Sequence, residues 1–363
     1  MTNNVKDRQF DAVFYVAYPY YFPHFLPIHE YWISQGKQTL FVLSEKQNPE
    51  LMETIAKESS LNYQIGSQVL SQVSADVFFF ANEDSPLKGI KGKTVFLDHG
   101  VGTKYCDYPL ACELYDYVLI EGSYRQTMLE TELPQHQDKI KCVGFTKLDP
   151  VAKGKQAQVS TLMELYGLDV NKKTILYAPT FFPSSIEKMG RDFPADFADC
   201  NVIVKPHYLS LERRAYAKQR KLLQHWATFS NCLVTHVGEY NLTKFIGLAN
   251  LMISDESSAI FECTALDKPV VINRFLKLRW SYYLNPKKLV KRMDQGIDTY
   301  RAVGYNPGNY DEMKRNVRAA LTDPSEHKAI RAETTSAICG LVDGNVSKRI
   351  FELFNDKTNR NES

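Results

Sequence analysis

The chain has 363 residues, of which 44% are hydrophobic and 24% charged, a composition typical of a folded globular protein of about two domains. Its 44 Lys and Arg nearly balance its 42 Asp and Glu, for a net charge of +2. Because positive and negative charges are nearly equal in number, the chain has no overall electrostatic field that would attract nucleic acid. We therefore expect no nucleic-acid partner.

The first nine residues, MTNNVKDRQ, are polar and charged. They lack the apolar region of a secretory signal peptide, so we expect a cytoplasmic protein. The seven cysteines are odd in number and contain no C-x-x-C pair. They predict reduced, buried thiols, in agreement with that compartment.

Short runs of β-branched and aromatic residues alternate with helical stretches, which predicts parallel sheets covered by helices. In the first half, Pro27 at a first turn and Gly36 as a C-terminal cap predict a helix between the first two strands. The predicted strands are nearly continuously apolar, as strands buried on both faces are; they span residues 12–17, 39–43, 77–81, 94–97, 117–120 and 140–143.

A polar stretch at residues 147–161 predicts a linker, after which the alternation resumes. Strands are predicted at residues 174–177, 201–204, 232–234, 251–253 and 269–273, and helices at 211–226, 242–248, 258–266, 310–321 and 346–354. We therefore predict an α/β chain of two doubly wound, Rossmann-like domains facing a central cleft. These would be residues 1–150 and 158–340, with a C-terminal helix and tail at 341–363. Functional residues are expected just after strands, because such sheets bind ligands at the carboxyl ends of their strands.

The strand at 94–97 leads into DHGVGTK, residues 98–104. Two glycines allow a tight turn and a close approach to a ligand, and His99 can exchange a proton near neutral pH. An ordinary turn with a hydrogen-bonded histidine explains the same residues as well.

Two strands of the second half also end in polar residues. Thr180 follows the strand at 174–177, and Lys205 and His207 follow the strand at 201–204. A cation and an imidazole delivered together suit recognition of a diphosphate. The alternatives are a turn threonine, a solvated lysine and a surface histidine.

The most informative segment is SDESS at residues 254–258, which leads into a helix that carries Glu262. Hydroxyls of Ser257 and Ser258 at a helix N-terminus would favour a phosphate. A carboxylate at Glu262 would accept hydrogen bonds from a ribose. The competing interpretation is an ordinary N-capped helix with a surface glutamate.

The segment 274–292, which begins at Arg274, contains seven basic residues, no acidic residue and four aromatic ones. This composition suits contact with an anionic membrane surface or a phosphate-rich acceptor. A solvated loop with its aromatic side chains tucked into the domain is an equal alternative.

Four blocks, DHGVGTK, ILYAPTF, VIVKPH and LMISDESSAIFECTALDKPVV, occur in this order. Together they resemble the CDP-glycerol glycerophosphotransferases, which build teichoic-acid-type polymers on a two-domain GT-B fold. By this resemblance His99 and His207 match the family's two histidines, and Asp255, Ser257, Ser258 and Glu262 match its S-D-x-S-S-x-x-x-[DE] block. The family usually has an aromatic residue before its first histidine, where this chain has Asp98.

The resemblance implies transfer of a glycerol-phosphate, or another polyol-phosphate, from a CDP-activated donor to an acceptor hydroxyl of a cell-surface polymer or its lipid-linked precursor, with release of CMP. His99 would be the general base. His207, Lys205, Ser257 and Ser258 would offset charge on the diphosphate, and Thr180 and Asp255 would complete the donor site. We expect no cofactor and, since no D-x-D occurs, no metal. The alternatives are a GT-B glycosyltransferase or epimerase acting on a UDP-sugar, and a non-catalytic binding module. A peripheral contact with the inner face of the cell membrane is expected only if residues 274–292 provide it.

Overall fold

A computed structural model of the chain describes residues 6–154, 159–278 and 295–355. The chain divides into two compact units. Unit 1 contains residues up to Gly100, Tyr105–Lys153 and the residues from Gly340 onward, whereas unit 2 contains Val101–Lys104 and Gly154–Cys339. Each unit is built on its own parallel sheet, so the prediction of two α/β domains is confirmed.

The sheet of unit 1 has seven strands in the order β3-β2-β1-β4-β5-β6-β7. They are β1 (Gln9–Val16), β2 (Thr39–Leu43), β3 (Tyr63–Ile65), β4 (Ser74–Phe80), β5 (Lys91–Leu97), β6 (Tyr117–Ile120) and β7 (Ile140–Cys142). Successive strands lead outward on one side of β1 and then on the other, so the topological switch lies between β1 and β4. Such a switch leaves a crevice at the carboxyl ends of the two strands.

The sheet of unit 2 has five strands in the order β10-β9-β8-β11-β12. They are β8 (Thr174–Ala178), β9 (Asn201–Val204), β10 (Cys232–Val234), β11 (Leu251–Ser254) and β12 (Val270–Ile272). Every pairing is parallel, and the switch falls between β8 and β11. Residues after these two strands therefore line the edge at which doubly wound sheets bind ligands.

The helices cover both sheets. The α-helices are α1 (Phe22–Ser34), α2 (Pro49–Glu58), α3 (Tyr108–Leu114), α4 (Ser123–Glu132), α5 (Asp149–Ala152), α6 (Val159–Leu165), α7 (Tyr208–Glu212), α8 (Ala217–Trp226), α9 (Leu242–Leu248), α10 (Ala259–Thr264), α11 (Tyr310–Thr322), α12 (Lys328–Ile338) and α13 (Val346–Asn355). Short 3-10 helices span Pro19–Tyr21, Ser67–Ser71, Pro134–Lys139, Thr146–Leu148, Ile186–Lys188, Phe193–Phe197, Arg214–Tyr216 and Gln295–Val303. None of the described helices is both long and apolar enough to cross a membrane.

Helix α1 begins earlier than the sequence predicts. Pro23 occupies the first turn, and Pro27 lies inside the helix. The early start is explained by three aromatic residues that are buried on one side of α1, Phe22, Phe25 and Trp32. Their packing on the sheet lowers the free energy of the fold by more than the loss of one backbone hydrogen bond raises it.

The helix predicted at residues 211–226 is divided in two. Arg213 has an extended backbone (φ −76°, ψ 130°) between α7 and a 3-10 turn that leads into α8. The guanidinium of Arg220 donates to the carbonyl of Arg213 at 2.7 Å and contacts those of Ser210 and Leu211 at 3.3 Å. These bonds satisfy carbonyls that a continuous helix would have paired, so a single side chain stabilises the break.

The expectation that the cysteines are buried is wrong for two of them. Cys106 and Cys142 are exposed, while Cys112, Cys200, Cys263 and Cys339 are buried. Cys142 ends β7, an edge strand of the sheet in unit 1, where one side of the strand has no covering neighbour. The number and spacing of the cysteines therefore did not identify the exposed positions.

The C-terminal helix α13 is fastened to unit 1 by a buried carboxylate on α5. Asp149 is 2% exposed and accepts hydrogen bonds from the backbone amides of Val346 (3.1 Å) and Ser347 (2.8 Å), and from the Ser347 hydroxyl (2.7 Å). The amides at the start of a helix have no partner within the helix. Asp149 therefore caps α13 from a segment almost 200 residues earlier.

Asp149→Ala should lower the free energy of unfolding by about 1–3 kcal/mol, because two backbone amides and one hydroxyl lose a buried acceptor. Urea denaturation measures this loss, and hydrogen exchange of the amides at 346–350 should accelerate. The control is Asp138→Ala, which removes an exposed carboxylate of the same unit. Equal unfolding free energies for the two variants would contradict the capping role.

Candidate active site

In unit 1, His99 lies at the carboxyl edge of the sheet, just beyond β5. Its Nδ1 is 3.0 Å from the carbonyl oxygen of Ala81, which follows β4, and 3.2 Å from Oδ1 of Asp98. The ring also packs against Tyr21 and Tyr20, with centroids 5.0 Å and 5.7 Å away. The histidine is thus held at the edge where ligands of such sheets bind, and its side chain remains 36% exposed.

In unit 2, two predicted residues meet at the switch between β8 and β11. Asp255 is fully buried, and its Oδ2 accepts hydrogen bonds from the backbone amides of Thr180 (3.0 Å) and Ser185 (3.1 Å). The Thr180 hydroxyl lies 3.1 Å from the same oxygen and also contacts the carbonyl of Pro183. The Asp255 carboxylate therefore holds the whole loop that follows β8.

Ser185 was not predicted, yet it completes this cluster. Its hydroxyl donates to Oδ1 of Asp255. The same hydroxyl lies 2.7 Å from the Tyr177 hydroxyl and accepts from the Asn273 amide at 3.0 Å. The only signal for it in the sequence is the hydroxyl pair Ser184-Ser185, a few residues beyond Thr180 in the loop that follows β8.

Burial raises the pKa of Asp255 from 3.8 to about 6, although the bonds from Ser185 and Thr180 act in the opposite direction. Removal from water disfavours the ionised form, and the donors recover only part of that loss. The carboxylate is therefore in a costly position that is tolerated because four donors converge on it.

The two serines after Asp255 begin α10. The Ser257 hydroxyl accepts from the Ala259 amide and lies 3.2 Å from the Ser254 hydroxyl. Ser258 is the residue before the helix, and its carbonyl accepts from the Phe261 amide at 3.0 Å. Helix α10 has six residues, shorter than the predicted span of 258–266.

Lys205 and His207 follow β9, the neighbour of β8. The backbone amide of Lys205 donates to the Tyr177 carbonyl at 2.8 Å. His207 precedes α7, and its Nδ1 accepts from the Leu209 amide at 3.1 Å while its ring packs on Phe181 at 4.7 Å. Because Phe181 adjoins Thr180, the histidine lies beside the loop that Asp255 holds.

Glu262 is placed differently from the other predicted residues of unit 2. It is 3% exposed, and its Oε2 accepts a hydrogen bond from the Thr243 hydroxyl of α9 at 3.3 Å. The interpretation of Glu262 as a solvated surface residue is therefore excluded. The carboxylate lies between α9 and α10, while Thr180, Asp255 and Ser257 lie along the strand ends.

The basic segment starts at the same edge of unit 2. Glu256 is paired with Arg301 at 2.8 Å and with Arg274 at 3.4 Å. The backbone of Lys277 donates to the Ser184 carbonyl at 2.7 Å. Residues 279–292, which contain most of the basic and aromatic side chains, lie outside the described residues.

No group of three or more His, Cys, Asp and Glu side chains that could hold a metal ion occurs among the residues that the structure describes. The polar groups at the two sheet edges include imidazoles, an ammonium, hydroxyls and backbone amides, and carboxylates that contact neighbouring groups of the protein. Such groups exchange protons and bind anions.

Asp255→Ala should lower the free energy of unfolding at pH 7 by about 2–5 kcal/mol, because the buried amides of Thr180 and Ser185 lose their acceptor. Chemical denaturation gives the value, with Glu164→Ala, an exposed carboxylate of α6, as the control. A loss no larger than that of the control would show that the cluster is not a structural constraint.

The raised pKa of Asp255 also predicts that the stability of the protein depends on pH. Native Asp255 retains its proton at pH values where the unfolded chain releases it. The contribution of this proton to the free energy of unfolding is therefore full below pH 3.8 and is lost as the pH rises through about 6. Asp255→Asn cannot titrate, so the stability of the wild type relative to this variant should decline over that range. Parallel stability curves for the two proteins would be the opposite result.

The model of the CDP-glycerol:poly(glycerophosphate) glycerophosphotransferase family matches residues 103–355, a segment that begins four residues after His99. The teichoic acid glycerol-phosphate primase of Bacillus subtilis (strain 168) is 22% identical over 199 residues, 54% of this chain and 47% of the relative. This chain thus matches about half the length of that curated relative.

Solved structures share the fold. The wall teichoic acid polymerase TagF superposes with a TM-score of 0.68 at 15% identity, over 97% of this chain and 90% of that chain. The UDP-GlcNAc 2-epimerase from Neisseria meningitidis bound to UDP-GlcNAc has a TM-score of 0.61 at 12% identity, over 96% and 100%. Identities this low show a common fold and leave the choice of family to the sequence match. Since that match spans more than half of the chain, the protein belongs to the CDP-glycerol:poly(glycerophosphate) glycerophosphotransferase family.

Proposed function

We propose that this protein transfers glycerol-phosphate, or a related polyol-phosphate, from a CDP-activated donor to an acceptor hydroxyl of a cell-surface polymer or its lipid-linked precursor, and releases CMP. The family match over residues 103–355 carries the proposal. Relatives named as a teichoic acid primase and a wall teichoic acid polymerase support it, as does a variant of that polymerase soaked with CDPG.

The hydrogen bonds of the two histidines support different roles for them. Nδ1 of His99 faces two acceptors, the Ala81 carbonyl and Asp98, so in the neutral ring it carries the proton and Nε2 is the basic atom. Nδ1 of His207 accepts from the Leu209 amide, so there Nε2 carries the proton. His99 is therefore suited to take a proton, and His207 to donate a hydrogen bond.

In the proposed reaction the acceptor oxygen attacks the distal phosphorus of the donor in line with the departing CMP. An O–P bond forms to the acceptor, the P–O bond to CMP breaks, and the acceptor proton passes to Nε2 of His99. CMP leaves with the electron pair of the broken bond. Transfers of this kind depend on positioning and on stabilisation of charge.

Donor binding is assigned to the carboxyl edge of unit 2. Lys205, His207 and the hydroxyls of Ser257 and Ser258 would offset the charge of the diphosphate, and Glu262 would hold the ribose. Asp255 would contribute by holding Thr180 in place, since its carboxylate is fully buried and bonded within the protein.

We also propose that the protein works in the cytoplasm, where an acceptor carried at the inner face of the membrane is within reach. Residues 274–292 would make that contact. Their first residue, Arg274, is paired with Glu256 at the donor edge. The charge of the remaining segment suits anionic lipid headgroups or a polyol-phosphate acceptor.

His99→Ala should reduce CMP release from CDP-glycerol by about 10²- to 10⁴-fold, the usual contribution of a general base. CMP is quantified by chromatography after incubation with a teichoic-acid-type acceptor. His136→Ala, which changes a histidine of the same unit in the 3-10 helix that precedes the amino end of β7, is the control and should retain activity. Near-wild-type turnover by the His99 variant would exclude base catalysis by this residue.

CDP-glycerol and UDP-GlcNAc distinguish the two donor classes. Calorimetry should detect binding of CDP-glycerol with an affinity at least about 100-fold above that for UDP-GlcNAc, since a site built to hydrogen-bond one base rejects a poor match strongly. A panel of CDP-polyols then identifies the polyol by CMP release. Preference for the UDP-sugar would favour a glycosyltransferase or epimerase, and donor binding without any CMP release would favour a binding module.

A further inference from the structure

Asp98 lies between the end of β5 and His99, at a position where the glycerophosphotransferase family usually has an aromatic residue. Its side chain is 8% exposed. Oδ1 accepts a hydrogen bond from the Gly100 amide at 3.3 Å and lies 3.2 Å from Nδ1 of His99. One carboxylate oxygen thus contacts both the turn and the imidazole that the turn presents.

We propose that Asp98 is a positioning residue for His99. It would keep the proton on Nδ1, leave Nε2 as the base, and offset the charge of the imidazolium that forms as the acceptor is deprotonated. The inference rests on the proposed role of His99 in the transferase reaction. Beyond that role, it assigns the orientation of His99 to the carboxylate of the preceding residue, Asp98.

The geometry around the ring supports this role. The carbonyl of Ala81 and the carboxylate of Asp98 approach the same nitrogen, and Tyr20 and Tyr21 pack on the ring. No residue among those described forms a hydrogen bond with Nε2. A ring held at one nitrogen and along its faces presents the other nitrogen in a fixed direction, which is what a general base requires.

A buried cluster of three side chains lies within electrostatic reach of Asp98. Arg125 is 1% exposed, contacts Glu121 at 3.4 Å and lies over the Tyr108 ring at 4.3 Å. Burial raises the pKa of Glu121 to about 7, an effect that Arg125 opposes and the negative charge of Asp98 increases. The Arg125 guanidinium and the Asp98 carboxylate attract each other, which helps to hold the carboxylate in place beside the ring.

The proton balance of the step is simple. The acceptor hydroxyl gives its proton to Nε2 as its oxygen bonds to phosphorus, and the imidazolium later returns that proton to solvent. Asp98 receives no proton in this step; its carboxylate, 3.2 Å from Nδ1, offsets the positive charge of the imidazolium. A charged acceptor binds an imidazolium more strongly than a neutral one does.

The test compares Asp98→Asn with the wild type in CMP release from CDP-glycerol. Asparagine retains an oxygen for the Gly100 amide but lacks the charge. We expect kcat to fall by about 10- to 100-fold with KM changed less than about threefold, since the lost interaction develops in the transition state. Asp107→Asn, a half-buried aspartate nine residues later, is the matched control and should keep its kcat.

A second measurement does not depend on turnover. The ¹⁵N chemical shifts of the neutral His99 ring in the wild-type protein should show the Nδ1-protonated tautomer. In Asp98→Asn the Nε2-protonated fraction should rise by about threefold, because Nδ1 loses the nearby negative charge that favours a proton there. Folding of the variant is verified by its amide spectrum.

The outcomes separate the two proposals. A wild-type kcat for Asp98→Asn, in a protein where His99→Ala is inactive, would overturn the role of Asp98 and leave the transferase proposal intact. An active His99→Ala would remove His99 as the base, and the tautomer would then decide whether Asp98 still orients the ring. A wild-type ring protonated mainly at Nε2 would overturn the inference directly.

Discussion

The interaction on which the carboxyl edge of the sheet in unit 2 depends is the one between the Asp255 carboxylate and the two amides and two hydroxyls of Thr180 and Ser185. Asp255 follows β11, and its partners follow β8, the two strands between which the chain order of this sheet reverses. A crevice forms at such a reversal because the loops diverge there. The carboxylate joins the loops across the crevice, which fixes its shape and explains why a costly buried charge is retained.

At the carboxyl edge of the sheet in unit 1, the group that is held in place is the imidazole ring of His99. His99 and His207 both follow parallel strands, yet their Nδ1 atoms have opposite partners, acceptors for His99 and an amide donor for His207. The groups around each ring therefore favour one tautomer before any ligand binds. The proposed transfer needs one group that removes a proton and others that donate to developing negative charge, and the two local environments would supply this difference.

The sequence predicted the strands well because strands buried on both faces leave a continuous apolar signal. The spans at 39–43, 117–120 and 201–204 agree with β2, β6 and β9 residue by residue. Strand β3, with three residues that are exposed or half-buried, leaves no such signal. The break between α7 and α8 was missed because it depends on Arg220, whose bonds to three carbonyls are a tertiary effect. Likewise, residue type identified Asp255 and Thr180 but not Ser185, since a serine seven residues beyond a strand end resembles an ordinary loop residue until the loop is folded.

The ion pairs of Glu256 show where in unit 2 the basic segment, residues 274–292, begins. A solvated loop or a distant membrane patch would leave Arg274 without a carboxylate partner, whereas Arg274 and Arg301 both bind Glu256, the residue next to Asp255. Lys277 then pairs through its backbone with Ser184, the neighbour of Ser185. The segment that carries seven basic residues therefore departs from the loop cluster that Asp255 holds together, and not from a remote face of unit 2. In the proposed function, the positive charge of this segment would raise the local concentration of anionic ligands near the donor site.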